Sequence, residues 1–114
     1  MAQLVRVIAQ AGPLPIKATV PIETDAPTVV TIAGSVWSVD EAYEVGILLS
    51  IDGDQVQGAP IFANSGQMHL AVVPVTFSYT FPYTQDQQHT FELDKLTGET
   101  MTDQNDFFVV TVQY

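Results

Sequence analysis

The chain contains no cysteine. That excludes a disulfide scaffold and a thiolate zinc site, and leaves open whether the compartment is reducing or oxidising. Basic residues are almost as scarce. Arg6, Lys17 and Lys95 stand against 13 acids, for a formal net charge of −10. Binding nucleic acid through its phosphates needs clustered Lys and Arg, so no nucleic-acid partner is expected. An anionic membrane surface is disfavoured on the same ground. No run approaches the ~18–20 apolar residues of a helical membrane span. The opening residues, Met1 to Arg6, lack the basic segment and apolar stretch of an export signal, so neither an export signal nor a membrane segment is expected.

Groups that do chemistry are also few. His69 and His89 are the only histidines. Ser35, Ser38, Ser50, Ser65 and Ser78 are present, but no Gly-x-Ser-x-Gly elbow surrounds any of them. Each histidine therefore reads as a partly buried strand residue rather than a base. Two histidines far apart, with no cysteine, fall short of the three or four ligands zinc takes. Asp52-Gly53-Asp54 and the Asp103–Asp106 stretch cluster oxygen ligands in loops, but no EF-hand spacing is met, and turn chemistry accounts for them. Asp40, Glu41 and Glu44 lie too close in sequence to test as a glycosidase pair, and so small a domain has little room for a deep cleft. The expectation is a non-enzyme with no catalytic residue, no metal and no cofactor.

What is present is β-strand. Apolar residues make up 46% of the chain and charged ones only 14%, well below the usual ~25%. Much of the surface must then be neutral Thr, Gln, Ser and Asn. Val30, Ile32 and Val36 share one face of a strand, opposite Val29, Thr31, Ala33 and Trp37. Val45, Ile47, Leu49 and Ile51 alternate in the same way. Asp52-Gly53 follows, and such a pair accepts positive φ at both centres of a type I′ hairpin turn. Pro74 interrupts the long stretch Met68–Phe81 and shifts its parity, which predicts a bulge or a crossing between sheets. Phe91 and Leu93 point inward on a later strand. The closing strand sets Phe108, Val110, Val112 and Tyr114 against Phe107, Val109 and Thr111. Regular spacing without a helical period predicts an all-β antiparallel sandwich of jelly-roll type with seven or eight strands. Prolines at 13, 15 and 21 mark residues 1–26 as an extended N-terminal arm or edge hairpin before a sandwich domain at 27–114.

From residue 29 to 114 the chain resembles the trimeric jelly rolls of the TNF/C1q-like superfamily. The likeness rests on Thr31-Ile32-Ala33-Gly34-Ser35, Ile51-Asp52-Gly53-Asp54, His89-Thr90-Phe91-Glu92-Leu93 and the closing Phe107–Val112 strand. It implies a homotrimer with aromatics on the threefold axis, here Phe77, Tyr79 or Phe108. Members of that superfamily include phage fibre tips, spore-surface proteins and fucose-binding lectins.

Strands apolar on both faces, a neutral surface and a proline-containing arm point to a structural protein of a virus particle. A bacteriophage capsid decoration (cement) protein or a fibre or tail-surface module, located at the virion surface, fits that description. Its partners would be itself and a neighbouring virion protein such as a capsid protein, with Leu4, Val5, Val7 and Ile8 of the arm added to a neighbour's sheet. The alternative is a lectin of the TNF-like type, with Trp37 and Tyr43 as a sugar platform and Asp40 as a polar contact to a glycan.

Overall fold

The expected alternation is realised almost strand for strand. The computed structural model describes residues 3–114 and contains nine strands and no helix among them. The strands are β1 (Leu4–Ala11), β2 (Ile16–Pro21), β3 (Thr28–Val36), β4 (Tyr43–Ile51), β5 (Asp54–Ala63), β6 (Leu70–Ala71), β7 (Val75–Tyr79), β8 (Gln88–Lys95) and β9 (Phe107–Gln113). One sheet runs β1-β9-β3, with β6 and β7 both paired to β3; the other runs β2-β8-β4-β5. All pairings are antiparallel. With β6 and β7 counted as one interrupted strand, this is the eight-stranded order of a jelly roll. The β4–β5 hairpin stays within its sheet, and the other connections pass between sheets.

The ninth strand comes from Met68–Phe81. Leu70 and Ala71 pair with Val36 and Ser35, while Val75–Tyr79 pair with Ile32–Thr28. Both pieces therefore flank β3 in one sheet, and the stretch does not cross to the other. The parity shift is absorbed at residues 72–74, where Pro74 has no N–H to donate. Val72 points into the core, while Val73 is thrown out to 71% exposure instead of joining Val75 and Phe77.

The N-terminal stretch differs from expectation. Met1 and Ala2 lie outside the described residues. Leu4–Ala11 is no free arm: it pairs along β9, with a bulge between Arg6 and Ile8 that turns Val7 and Ile8 both inward. Ile16–Pro21 pairs along β8. Both are edge strands, β2 as its Pro21 requires, but of different sheets, so they form no hairpin with each other. Ile8, Leu14, Ile16 and Ile22 join the core, and each gains the ~1.5–3 kcal/mol of a fully buried apolar side chain. The sandwich thus begins at β1 and not at residue 27.

The inward sets otherwise match the alternation. Val30, Ile32 and Val36 of β3, Val45, Ile47, Leu49 and Ile51 of β4, Phe91 and Leu93 of β8, and Phe108, Val110 and Val112 of β9 are all fully buried. Gly34 lets the sheets close: a Cβ there would meet Phe108 Cδ1 at 2.6 Å and Ile47 Cδ1 at 2.8 Å. The β4–β5 turn takes positive φ at both Asp52 (52°) and Gly53 (88°), the geometry a type I′ hairpin demands.

Candidate functional site

Strands of a jelly roll run end to end, so their loops gather at the two ends of the sandwich. One end holds the β2–β3 loop (residues 22–27) and the β7–β8 loop (residues 80–87). The loops are tied together where Ile22 N–H donates to the Gln87 carbonyl at 3.0 Å. The Tyr114 hydroxyl, just past β9, accepts from Glu23 N–H at 3.2 Å. Thr24 Oγ1 accepts from Ala26 N–H at 3.1 Å and tightens the first loop.

Between these loops lies an open cavity of about 220 Å³, lined by Ile22, Glu23, Thr24, Asp25, Pro82, Tyr83, Thr84, Gln87 and His89. Its two sides differ. Tyr83 stands 80% exposed at the rim, a large flat apolar surface offered to solvent. The rest of the lining carries hydrogen-bonding groups, and Thr84 Oγ1 is buried with no partner. A buried hydroxyl left unpaired costs ~1–3 kcal/mol, and Trp37 Nε1 is the other such atom among the described residues. Glu23 and Asp25 add carboxylate acceptors, and no Lys or Arg lines the cavity.

The floor is His89, only 2% exposed. Its Nδ1 lies 2.6 Å from Asp52 Oδ2, and Asp52 Oδ1 accepts from Thr90 N–H at 2.9 Å. The hairpin tip of β4–β5 is thereby clamped to β8. Nδ1 is engaged by this clamp, so Nε2 is the ring nitrogen left for the cavity. Phe81 packs on the ring at 4.8 Å between centroids, with Tyr79 edge-on to Phe81 at the same distance. Burial pushes the Tyr79 phenol pKa up, with the charges of Asp52 and then Asp54 adding to it.

The opposite end carries a second histidine–carboxylate pair. Asp106, fully buried just before β9, accepts from Ser35 Oγ at 2.6 Å and lies 2.7 Å from His69 Nδ1. Its other oxygen accepts from Asp103 N–H at 2.9 Å. His69 Nε2 is 3.7 Å from Asp103 Oδ2. The hydrogen bond to Asp106 raises the His69 pKa above its ordinary 6.5; desolvation pulls it down, and the charges of Asp106 and Asp103 add to the rise. His69, Asp103 and Asp106 are the one group among the described residues with the donor set for a metal ion. Both Asp106 oxygens are already engaged within the protein, so only His69 Nε2 and Asp103 are left to bind one. The trio reads as a closed hydrogen-bonded lock that fixes the β5–β6 loop to the start of β9.

The residues expected at an interface or a sugar site fall as follows. Phe108 is fully buried among its own chain's side chains, and Val7 and Ile8 are buried too, so none of the three is free to meet another subunit. Val5, Phe77 and Tyr79 pack half-buried against the same core, and Leu4 is exposed. Trp37 is half-buried, with its ring 5.7 Å from His69 and its Nε1 buried without a partner. Tyr43 and Asp40 line a shallow depression of about 180 Å³ that Trp37 does not enter. The proposed platform is therefore split. The cavity by His89 has no counterpart among those residues; its only sequence signal is two polar, aperiodic loops, and nothing in the sequence says they meet.

Neither a protein-family model nor a curated protein matches the chain. Among solved structures it is similar to one described as "EclA C-terminal domain; sugar-binding protein". The match has 13% identity and a TM-score of 0.50, and covers 98% of this chain and 78% of the other. What the two share is the fold. At that identity the likeness supports the β-sandwich and says nothing residue by residue.

Proposed function

We propose that the chain is a non-enzymatic carbohydrate-binding module whose site is the cavity between residues 22–25 and 82–87. The observation that carries the reading is the 80% exposed Tyr83 ring at the rim of a cavity otherwise lined by the polar side chains of Glu23, Thr24, Asp25, Thr84 and Gln87. A sugar ring offers both things the cavity asks for: an apolar C–H face to lie on an aromatic, and hydroxyls that donate and accept. Glu23 and Asp25 accept from hydroxyls, while the absence of a lining cation disfavours acidic sugars. A volume of about 220 Å³ lies below the ~300 Å³ where drug-sized pockets begin, which suits a single terminal residue of a glycan. The fold shared with a sugar-binding domain is consistent with this reading.

A place on a bacteriophage particle is compatible with the same site, since a fibre or decoration module can present a sugar pocket. The arm expected to make the attachment is built into the chain's own sandwich, so such a role rests on other surfaces. A homotrimer, if formed, has no axis through Phe108.

A glycan array followed by calorimetric titration of the best neutral glycan tests the proposal. Tyr83→Ala is expected to weaken binding about tenfold or more, in line with the ~1.4 kcal/mol per decade of affinity. Thr84→Val is expected to weaken it too while leaving the fold intact. Trp37→Ala should leave affinity unchanged. Loss of binding in Trp37→Ala with none in Tyr83→Ala would move the site to the opposite end.

A further inference from the structure

The two sheets present unlike outer faces. The strands of the sheet β1-β9-β3 with β6 and β7 contain no Asp or Glu at all, and Arg6 is their only charge. In a chain with 13 acids this is a marked segregation. The other sheet carries Lys17, Glu44, Asp54, Glu92, Asp94 and Lys95 in its strands. On the acid-free face the outward positions are mostly short or apolar, with Arg6 beside Thr111 and Gln113 beside Leu4 and Val29 as the exceptions. Val29 is 43% exposed and Phe107 53%, at opposite ends of neighbouring strands. Val109 and Thr111 lie between them on β9, facing Ala33 and Thr31 of β3 across the register. Thr31 and Thr76 already share a hydroxyl–hydroxyl hydrogen bond of 3.1 Å, which uses up polarity that would otherwise hold water.

We infer that this face is the seat of a second copy of the chain, packed sheet to sheet as an isologous dimer. The charge argument selects the occupant. Two chains of net charge −10 repel, and the face that carries no acid is where they approach at least cost. No carboxylate on it recognises a basic partner, and a surface made mostly of small residues and threonines can be set against itself under a twofold axis. The size falls at the low end for a stable interface. Four strands at ~4.8 Å spacing and seven residues at ~3.3 Å give a footprint of roughly 19 by 23 Å. That is about 440 Å² before side-chain relief, which brings it towards the ~800 Å² of accessible surface per partner of a standard interface. The face excludes the cavity by His89, so a dimer would present two such cavities.

The test is the mass of the full chain by light scattering over a concentration series, at low and at high salt. A mass of twice 12.4 kDa is expected, with a tighter dimer at high salt because screening relieves the repulsion between the chains. Val29→Glu and Phe107→Glu change side chains already more than 40% exposed, so both should fold as the parent does and run as monomers. Leu48→Glu on the opposite outer face should remain dimeric. A monomeric parent at every concentration, a trimer, or a dimer that Leu48→Glu breaks and Phe107→Glu does not, would each overturn the inference.

Discussion

The two ends of the sandwich are each closed by a histidine–carboxylate pair, built in opposite senses. At the lock before β9 the carboxylate is the buried partner: Asp106 is fully enclosed while the His69 side chain is 37% exposed. At the cavity the ring is the buried partner: His89 is 2% exposed and Asp52 33%. The same chemistry therefore does two jobs. A buried carboxylate with both oxygens engaged organises the backbone around it, and its solvent-facing histidine responds to pH. A buried ring with one nitrogen clamped leaves its other edge beside open space. The first end is held by a buried carboxylate, and the second leaves open space beside the exposed Tyr83 ring.

The sharpest way to break the comparison is to remove Asp106. Asp106→Ala strands the Ser35 hydroxyl, the Asp103 N–H and the His69 ring at once. A loss of about 2–5 kcal/mol in urea unfolding is expected, because two part-buried donors, the Ser35 hydroxyl and the Asp103 N–H, each lose their acceptor at ~1–3 kcal/mol. A loss under 1 kcal/mol would mean the lock is not what holds that end.

Asp52→Ala comes next. It removes the partner of His89 Nδ1 and of Thr90 N–H, but Asp52 is partly solvated, so about 1–3 kcal/mol is expected. Sugar binding should weaken in the same variant, because the cavity floor loses its anchor. An unchanged unfolding midpoint would separate the clamp from the fold.

The smallest effect is a pH dependence. The folded-state pKa of His69 lies above its unfolded value of 6.5, so the folded protein holds this proton more tightly. The stabilisation is present in full below pH 6.5 and is lost as pH rises through the folded-state value. In His69→Asn the decline of the melting temperature above pH 6.5 should flatten. A slope identical to that of the parent would assign the titration elsewhere.

Much of the fold was legible because a strand repeats every two residues and buries one parity. Val45, Ile47, Leu49 and Ile51 declared the inward face of β4, and Asp52-Gly53 declared its turn, since few other pairs accept two positive φ values. Proline confined β2 to an edge for the same local reason. The arm was misread because proline reports what a segment cannot be, not what it packs against. Ile8, Leu14, Ile16 and Ile22 gave too short and broken a pattern to declare a buried face. Trp37 and Tyr43 were grouped because they are near in sequence, yet a tryptophan beside a loop says nothing of where the loop turns.

The sequence by itself determined the all-β class, the inward set of each long strand, the hairpin tip and the poverty of cations. Each depends on neighbours a few residues apart or on totals. Only the tertiary structure decided that β1 and β2 belong to different sheets, that His69 meets Asp106 and His89 meets Asp52, and that residues 22–25 and 82–87 enclose one cavity. Each of those depends on contacts across distant parts of the chain, which sheet closure selects through the burial of the whole core at once, and no local pattern of residues encodes them.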